Sequence, residues 1–234
     1  MSQHHTETYT CPKCGHAQEM QYWDSVNAQL DPEMHEKIMN REFFDQKCDE
    51  CGAVVRIMYT FLYHNMEHKL MVYMIAETDP EKQKEAIDKI NELSDMVENA
   101  PTDELASLLS GMSDGYTNRI VADYNGLIEK IIIANNGFDD RLIEIIKAIV
   151  MSRLGDALKG KTLDAIYYDE NAEGERALVF VFDDGKTAAI DFPADLYDEL
   201  KEKLLPDLDP ITPKGYAVID YSWALGAFAE MSGT

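Results

Sequence analysis

The sequence predicts an α+β protein: a small N-terminal β domain, a helical connector, and a C-terminal helical pair followed by a small antiparallel sheet. Three observations support this prediction. Short segments rich in β-branched and aromatic residues mark the first third of the chain, segments with helical periodicity occupy the middle, and three further β-rich segments follow. We therefore expect a β domain over residues 1–78, a connector over 79–116 and an α+β domain over 117–234.

The N-terminal domain contains three predicted strands and one short helix. Residues 16–30 predict the first strand. Residues 31–42 predict a helix because they begin with Asp-Pro, which supplies a capping residue and then the residue best tolerated at the first helical position. Residues 53–64 and 69–77 are rich in β-branched and aromatic residues, and the polar residues between them predict a β-hairpin.

The helical connector begins at a second Asp-Pro pair. In residues 78–100 apolar side chains recur at intervals of three and four, which predicts an amphipathic helix that Pro101 ends. A shorter helix to about Leu109 and a turn-rich break over residues 110–116 are expected to follow.

The C-terminal domain begins with two predicted helices over residues 123–137 and 138–154. Asn-Asn-Gly separates them, which predicts an antiparallel helical pair. Residues 193–206 predict an amphipathic helix with proline first, and residues 216–223 predict a last strand. Between the helices, turn residues separate three predicted strands of a meander, at 163–170, 176–184 and 186–192.

The four cysteines of the chain lie in two Cys-x-x-Cys pairs, CPKCG at 11–15 and CDECG at 48–52. In each pair a tight turn brings both sulfur atoms to one side, and the following glycine permits the left-handed backbone that the turn needs. Two such turns supply a closed shell of four thiolates, which is typical of structural zinc. We therefore predict a zinc-ribbon-like N-terminal domain with Zn²⁺ bound to Cys11, Cys14, Cys48 and Cys51.

Two other interpretations of the cysteines stay open. A tetrahedral site of four sulfur atoms also accepts iron, although we favour zinc. A redox-active dithiol needs only one pair and lies at a helix N-terminus, whereas the residues after Cys14 predict a strand. The six histidines all precede residue 79, and we expect structural or surface roles for them because four thiolates complete the shell.

The charge of the chain argues against nucleic acid as a partner. The net charge is −23, with 6 Lys and Arg against 12 Asp and Glu in residues 1–78, and 15 against 32 in the rest. Binding a phosphate backbone relies on Lys and Arg that displace counterions.

No apolar run reaches the about 20 residues of a membrane helix, and residues 1–10 do not resemble a secretory signal. We expect a cytoplasmic protein with reduced thiols and no membrane contact.

One segment matches a nucleotide-binding motif. Residues 155–162, GDALKGKT, fit G-x-x-x-x-G-K-T, with Lys161 and Thr162 at the positions that hold phosphate and magnesium. A phosphate loop must follow a strand and open a helix, because the helix N-terminus supplies the N–H groups that bind phosphate. Here a predicted helix precedes the segment and a predicted strand follows it. Nucleotide binding or hydrolysis is therefore an alternative function rather than the favoured one.

The remaining sequence supplies no credible catalytic group. The acidic pairs at 139–140 and 183–184 fit a helix start and a hairpin turn, and no nucleophile elbow, H-E-x-x-H or kinase signature occurs. We therefore expect a non-enzymatic, zinc-stabilised protein that presents a surface to a protein partner. A thiol redox protein is a further alternative.

The first part of the chain resembles the CpXC domain family of bacteria and archaea. The resemblance begins at the two cysteine pairs, where the first has the Cys-Pro-x-Cys form and the second carries Asp49 in place of proline. It extends over roughly residues 9–150, through NRIVADYNGLIEKIIIANNGFDDRLIEIIKAIV. The resemblance implies metal-binding cysteines. It implies no activity, because the family is uncharacterised.

Overall fold

The computed structural model describes residues 2–98, 115–155 and 160–231, and in these residues the protein is α+β as predicted. The chain divides into two compact units, Met1–Tyr124 and Asn125–Thr234. The shorter helix predicted to about Leu109 lies outside the described residues. None of the helices in the described ranges is long and apolar enough to cross a membrane.

The first unit contains a mixed five-stranded sheet and a separate two-stranded sheet. The larger sheet has the strand order β1-β2-β5-β6-β7, in which β2–β5 and β6–β7 pair in parallel and the other neighbours pair antiparallel. Strands β3 and β4 form the small sheet. The elements are β1 (Gln3–Thr10), β2 (Ala17–Asn27), α1 (Pro32–Met39), β3 (Asp45–Lys47), β4 (Val54–Arg56), β5 (Phe61–Asn65), β6 (Leu70–Met74), α2 (Pro80–Glu98) and β7 (Thr117–Val121).

Aromatic side chains form the core that connects the small sheet to the larger one. The ring of Phe44, just before β3, lies 4.9 Å from Tyr124 and 5.6 Å from Phe61 of β5. Phe43 lies 5.0 Å from both Phe44 and Phe61. The Tyr124 hydroxyl donates to the carbonyl of Ile38 at 2.8 Å, which satisfies a buried polar group at the end of α1. This cluster holds the β3–β4 hairpin against the remainder of the unit.

The sequence predictions for the first unit are correct in part. The strand at 16–30, the helix at 31–42 and the hairpin around residue 67 are confirmed as β2, α1 and β5–β6. The single strand predicted at 53–64 is wrong, because β4 pairs with β3 whereas β5 pairs with β2 and β6. The predictions missed β1, whose residues are almost all exposed and polar, and the short β7.

Strand β7 also bears on the domain division. The predicted C-terminal domain starts at residue 117, but β7 pairs with β6 from Leu70↔Thr117 to Met74↔Val121 and so completes the first unit's sheet. The division in the structure therefore falls after Tyr124.

The second unit combines helices with an antiparallel meander, as predicted. Its described elements are α3 (Tyr124–Asn135), α4 (Asp140–Leu154), β8 (Leu163–Glu170), β9 (Arg176–Phe182), β10 (Thr187–Asp191), α5 (Ala194–Leu208) and α6 (Tyr221–Met231), with strand order β10-β9-β8. The strand predicted at 216–223 is wrong. Asp220 accepts the N–H of Trp223 at 2.8 Å, and this cap begins α6 within the predicted strand.

A cluster of five charged side chains lies buried between α3 and α4. Each residue exposes between 2% and 6% of its surface, so water does not compensate the charges. Lys147 lies 2.6 Å from Glu129 and 2.9 Å from Glu144, and Lys130 lies 2.9 Å from Asp140. Burial opposes the charged form of Lys147, but the neighbouring carboxylates outweigh this effect and raise its pKa. Each charge in the cluster therefore depends on its partners, and removing one of them would leave an opposite charge buried without compensation.

Replacing Lys147 with methionine is expected to destabilise the second unit by about 3–5 kcal/mol, because Glu129 and Glu144 would remain buried without their shared cation. Urea denaturation followed by circular dichroism measures the change. Lys203→Met is the matched control, since it removes an exposed i,i+4 pair with Glu199 and should leave the midpoint nearly unchanged. Equal shifts for both variants would contradict this account of the core.

Candidate metal centre

Both cysteine pairs form the turns of β-hairpins. Cys11–Gly15 connects β1 to β2, and Cys48–Gly52 connects β3 to β4. In the first turn, Cys11 donates its N–H to the carbonyl of His16 at 2.8 Å, and Gly15 donates to the carbonyl of Cys11 at 2.9 Å. Gly15 has a φ of 76°, a left-handed conformation that a residue with a Cβ rarely adopts.

The second turn repeats this pattern at corresponding positions. Cys48 donates to the carbonyl of Ala53 at 2.8 Å, Gly52 donates to the carbonyl of Cys48 at 2.9 Å, and the φ of Gly52 is 68°. The two turns thus share one backbone geometry, although Asp49 stands where the first turn has proline. Since β3 and β4 have three residues each, this turn makes up a large part of its hairpin.

The two turns bring all four sulfur atoms together. The Sγ atoms lie within 4.8 Å of one another, with Cys11 and Cys51 3.8 Å apart and Cys14 and Cys48 3.6 Å apart. A tetrahedral ion with metal–sulfur bonds of about 2.3 Å requires sulfur atoms about 3.8 Å apart. The cysteines therefore fit a four-coordinate metal ion, and in the described parts of the chain they are the only such group of Cys, His, Asp and Glu.

The four thiols differ in burial and in ionisation. Cys11 and Cys48 are buried, whereas Cys14 and Cys51 are exposed. Backbone N–H groups of Lys13 and Cys14 stabilise the Cys11 thiolate and lower its pKa to about 6. The N–H of His16 favours the Cys14 thiolate, but partial desolvation of the sulfur and its hydrogen bonds with the other three cysteines outweigh this effect and raise the pKa of Cys14 to about 12. One thiolate thus forms readily and discourages the next, so a bound cation must displace the remaining protons.

Gln18 of β2 supports the second turn from outside the sulfur cluster. Its side-chain amide donates to the carbonyl of Lys47 and accepts from the N–H of Asp49, both at 3.0 Å. These two residues flank Cys48, so Gln18 fixes the backbone that carries this cysteine. The sequence gives no signal for this role, because Gln18 acts on residues about thirty positions away in the chain.

A groove lies beside the four-cysteine cluster. Its volume is about 480 Å³, and its lining includes Gln21 and Trp23 of β2, the residues of β3 and Val54 of β4. Phe43 and Met34 contribute further apolar surface. We call this cavity the β2–β3 groove. Six of its ten lining residues belong to the two hairpins that carry the cysteines, so the cysteine cluster and the groove depend on the same hairpins.

The other sequence candidates lie elsewhere. His16 directly follows the first cysteine turn. The ring of His64 forms hydrogen bonds with the side chains of Asn27 at 3.1 Å and Tyr116 at 3.0 Å, which is consistent with a structural role. The Cys11–Cys14 pair lies in a hairpin turn rather than at a helix N-terminus, which is not the setting of a redox-active dithiol.

The segment at 155–162 has the element order that the sequence predicts. Helix α4 precedes it and β8 follows it, the reverse of the order around a phosphate loop. Residues 156–159 lie outside the described residues. Gly160 has a φ of 86°, typical of a turn, and the Lys161 ammonium lies 4.8 Å from the centre of the Phe182 ring.

A family model described as "CpXC protein" matches residues 9–147, which is more than half of the chain. The chain therefore belongs to the CpXC family. The match begins just before the first cysteine pair and extends into α4, so it includes both cysteine turns and the β2–β3 groove. No curated protein and no solved structure shows significant similarity to this chain.

Replacing Gln18 with alanine is expected to weaken metal binding about tenfold, since it releases the backbone on both sides of Cys48 without removing a ligand. Competition with a chromophoric chelator measures the affinity. Gln21→Ala is the matched control, because the Gln21 side chain bonds to His4 rather than to a cysteine turn. An equal loss in both variants would contradict the supporting role of Gln18.

Proposed function

We propose that this member of the CpXC family is a cytosolic, non-catalytic protein that holds one structural zinc ion and presents a surface beside it to a protein partner. The observation that carries the proposal is the clustering of four cysteine sulfur atoms within 4.8 Å. Four thiolates fill a tetrahedral shell, whereas a catalytic zinc ion keeps one position open for water or substrate. The proposed ligands are Cys11, Cys14, Cys48 and Cys51.

Zinc is the proposed metal because it is the common ion of closed sites with four cysteines, although iron accepts the same ligands. The zinc ion would contribute to the folding free energy of the protein. Zinc binding to such sites can supply on the order of 10 kcal/mol, comparable to the net stability of a whole domain. A hairpin of two three-residue strands cannot supply that stability itself, because an isolated hairpin is marginal in water.

The β2–β3 groove is the proposed contact surface. Its lining combines apolar side chains such as Trp23 and Phe43 with acidic and basic side chains, a mixture that suits a protein segment. Val54 at its edge is 56% exposed, so the groove already offers uncovered apolar surface. The net charge of −23 disfavours nucleic acid and anionic membrane surfaces as partners.

The purified protein is expected to contain one zinc ion per chain by elemental analysis and to be colourless, since ferric iron in a four-sulfur site is red. Cys48→Ser should lose the metal, and chelator treatment of the wild type should lower its melting temperature. His16→Ala is the matched control, because His16 adjoins the first turn without contributing a thiolate. A metal-free protein with an unchanged melting curve would contradict the proposal.

Val54→Glu is expected to abolish capture of a specific partner from extracts of the native cell, because it places a charge at the edge of the groove. Leu225→Glu on α6 is the matched control, since Leu225 is exposed to a similar extent, 50%, but lies in the second unit. Quantitative mass spectrometry of captured proteins makes the comparison.

Turnover of a substrate by the metal-loaded protein, lost on substitutions outside the cysteines, would overturn the non-catalytic role.

A further inference from the structure

One edge of the small sheet is open to further strand pairing. Among the described strands, β3 pairs with β4 alone. At the end of β3, Cys48 donates its N–H toward β4, to the carbonyl of Ala53 at 2.8 Å. Hydrogen-bonded positions alternate along an antiparallel pair, so Lys47 and Asp45, one and three residues before Cys48, direct their backbone N–H and C=O groups away from β4.

This outer edge of β3 has partners at its two ends and none in the middle. The N–H of Asp45 donates to the carbonyl of Glu42 at 3.0 Å, and the carbonyl of Lys47 accepts from the side chain of Gln18 at 3.0 Å. Between these groups, the carbonyl of Asp45 and the N–H of Lys47 have no hydrogen-bond partner in the parts of the chain that the structure describes. Unpaired groups of this kind are a template for pairing with another chain.

The side chain of Gln18 shows what this edge accepts. Its carboxamide donates to the carbonyl of Lys47 and accepts from the N–H of Asp49, both at 3.0 Å. In a parallel pair, one residue likewise donates to the carbonyl before its neighbour and accepts from the N–H after it. The carbonyl of Asp45 and the N–H of Lys47 repeat this spacing two residues earlier. They therefore fit one residue of an extended segment that runs parallel to β3.

The open edge belongs to the β2–β3 groove. All three residues of β3 line the groove, and so do Gln21 and Trp23 of β2. Gln18, three residues before Gln21, bonds to the edge itself. The volume of about 480 Å³ is in the range of cavities that enclose a drug-sized molecule. A segment paired with β3 would therefore lie in the groove, where Trp23 and Phe43 offer apolar surface to its side chains.

Charge distinguishes between the occupants that could pair with this edge. The chain has a net charge of −23, and residues 1–78 contain 6 Lys and Arg against 12 Asp and Glu. A second copy of the chain carries the same charge and is repelled, whereas a segment rich in Lys and Arg is attracted. The charge therefore favours a basic segment of another protein over self-association.

We infer that the β2–β3 groove binds an extended segment of a partner protein with an excess of Lys and Arg, which pairs in parallel with β3 through the Asp45 carbonyl and the Lys47 N–H. This inference rests on the proposed function, because it specifies the partner of the contact surface assigned there. The backbone of β3 contributes affinity for any extended segment, and the side chains that line the groove contribute selectivity.

The test selects binders from a random twelve-residue peptide library displayed on phage, against the full-length, zinc-loaded protein. Groove binders are the peptides that lose binding to Val54→Glu and keep it to Leu225→Glu. They are expected to carry an excess of Lys and Arg. Replacing single backbone amides of one such peptide with esters should weaken its binding at least fivefold at the residue that donates to Asp45, and much less at the two adjacent residues, whose N–H groups point away from β3.

The N–H of Lys47 provides a second readout, in the protein itself. Its hydrogen exchange, measured by NMR, is expected to slow at least tenfold when the peptide binds. The N–H of Gln46 is the matched control, because it faces β4 and should be protected in both states. Lys47→Pro removes only an N–H that the β3–β4 ladder does not use, and it should weaken peptide binding at least fivefold relative to Lys47→Ala.

Groove binders that leave the exchange of the Lys47 N–H unchanged would overturn this inference and leave the proposed function intact. Groove binders without an excess of Lys and Arg would also overturn it, as would a selection that yields no peptide sensitive to Val54→Glu. A purified protein that contains no zinc before any peptide is added contradicts the proposed function instead.

Discussion

The architecture of the first unit depends on four sulfur atoms meeting at the ends of two hairpins. The turns of β1–β2 and β3–β4 share one hydrogen-bond pattern, and each places its cysteines on the side facing the other turn. The second hairpin has two strands of three residues each, too few for independent stability. Beyond the cysteines, its connections include the side chain of Gln18, the Arg56 guanidinium, which donates to the carbonyl of Arg41 at 2.7 Å, and the aromatic cluster around Phe44. A metal centre would link both hairpins through strong, directional bonds.

The second unit is stabilised by an apolar core that also contains buried ion pairs. Its helices α3 and α4 bury isoleucine and leucine side chains, and its meander buries Leu178, Phe180 and Phe182. Within this core, Lys130 and Lys147 neutralise three buried carboxylates, and Lys130 also donates to the carbonyl of Ile219 at 2.7 Å. Buried ion pairs of this kind add little net stability but penalise any arrangement that separates them, so they favour one packing of the helices.

Features determined by short stretches of sequence could be predicted. The cysteine turns, the helices at α3 and α4 and the meander follow from spacing, periodicity and turn residues over fewer than twenty positions. Features determined by distant partners could not. Strand β1 is polar because almost all of its residues are exposed to water, and the buried Lys147 resembles any surface lysine of an amphipathic helix. The groove likewise needs β2 and β3 side by side, and Gln18 acquires its role only when the chain has folded.

X-ray absorption at the zinc edge tests the central claim most directly, because it reports the atoms bound to the ion in the full-length protein. The account predicts four sulfur neighbours at about 2.3 Å and no nitrogen or oxygen in the first shell. A shell that includes nitrogen or oxygen would contradict it, since the ion would then have a replaceable ligand and the cysteine cluster would not be a closed structural site.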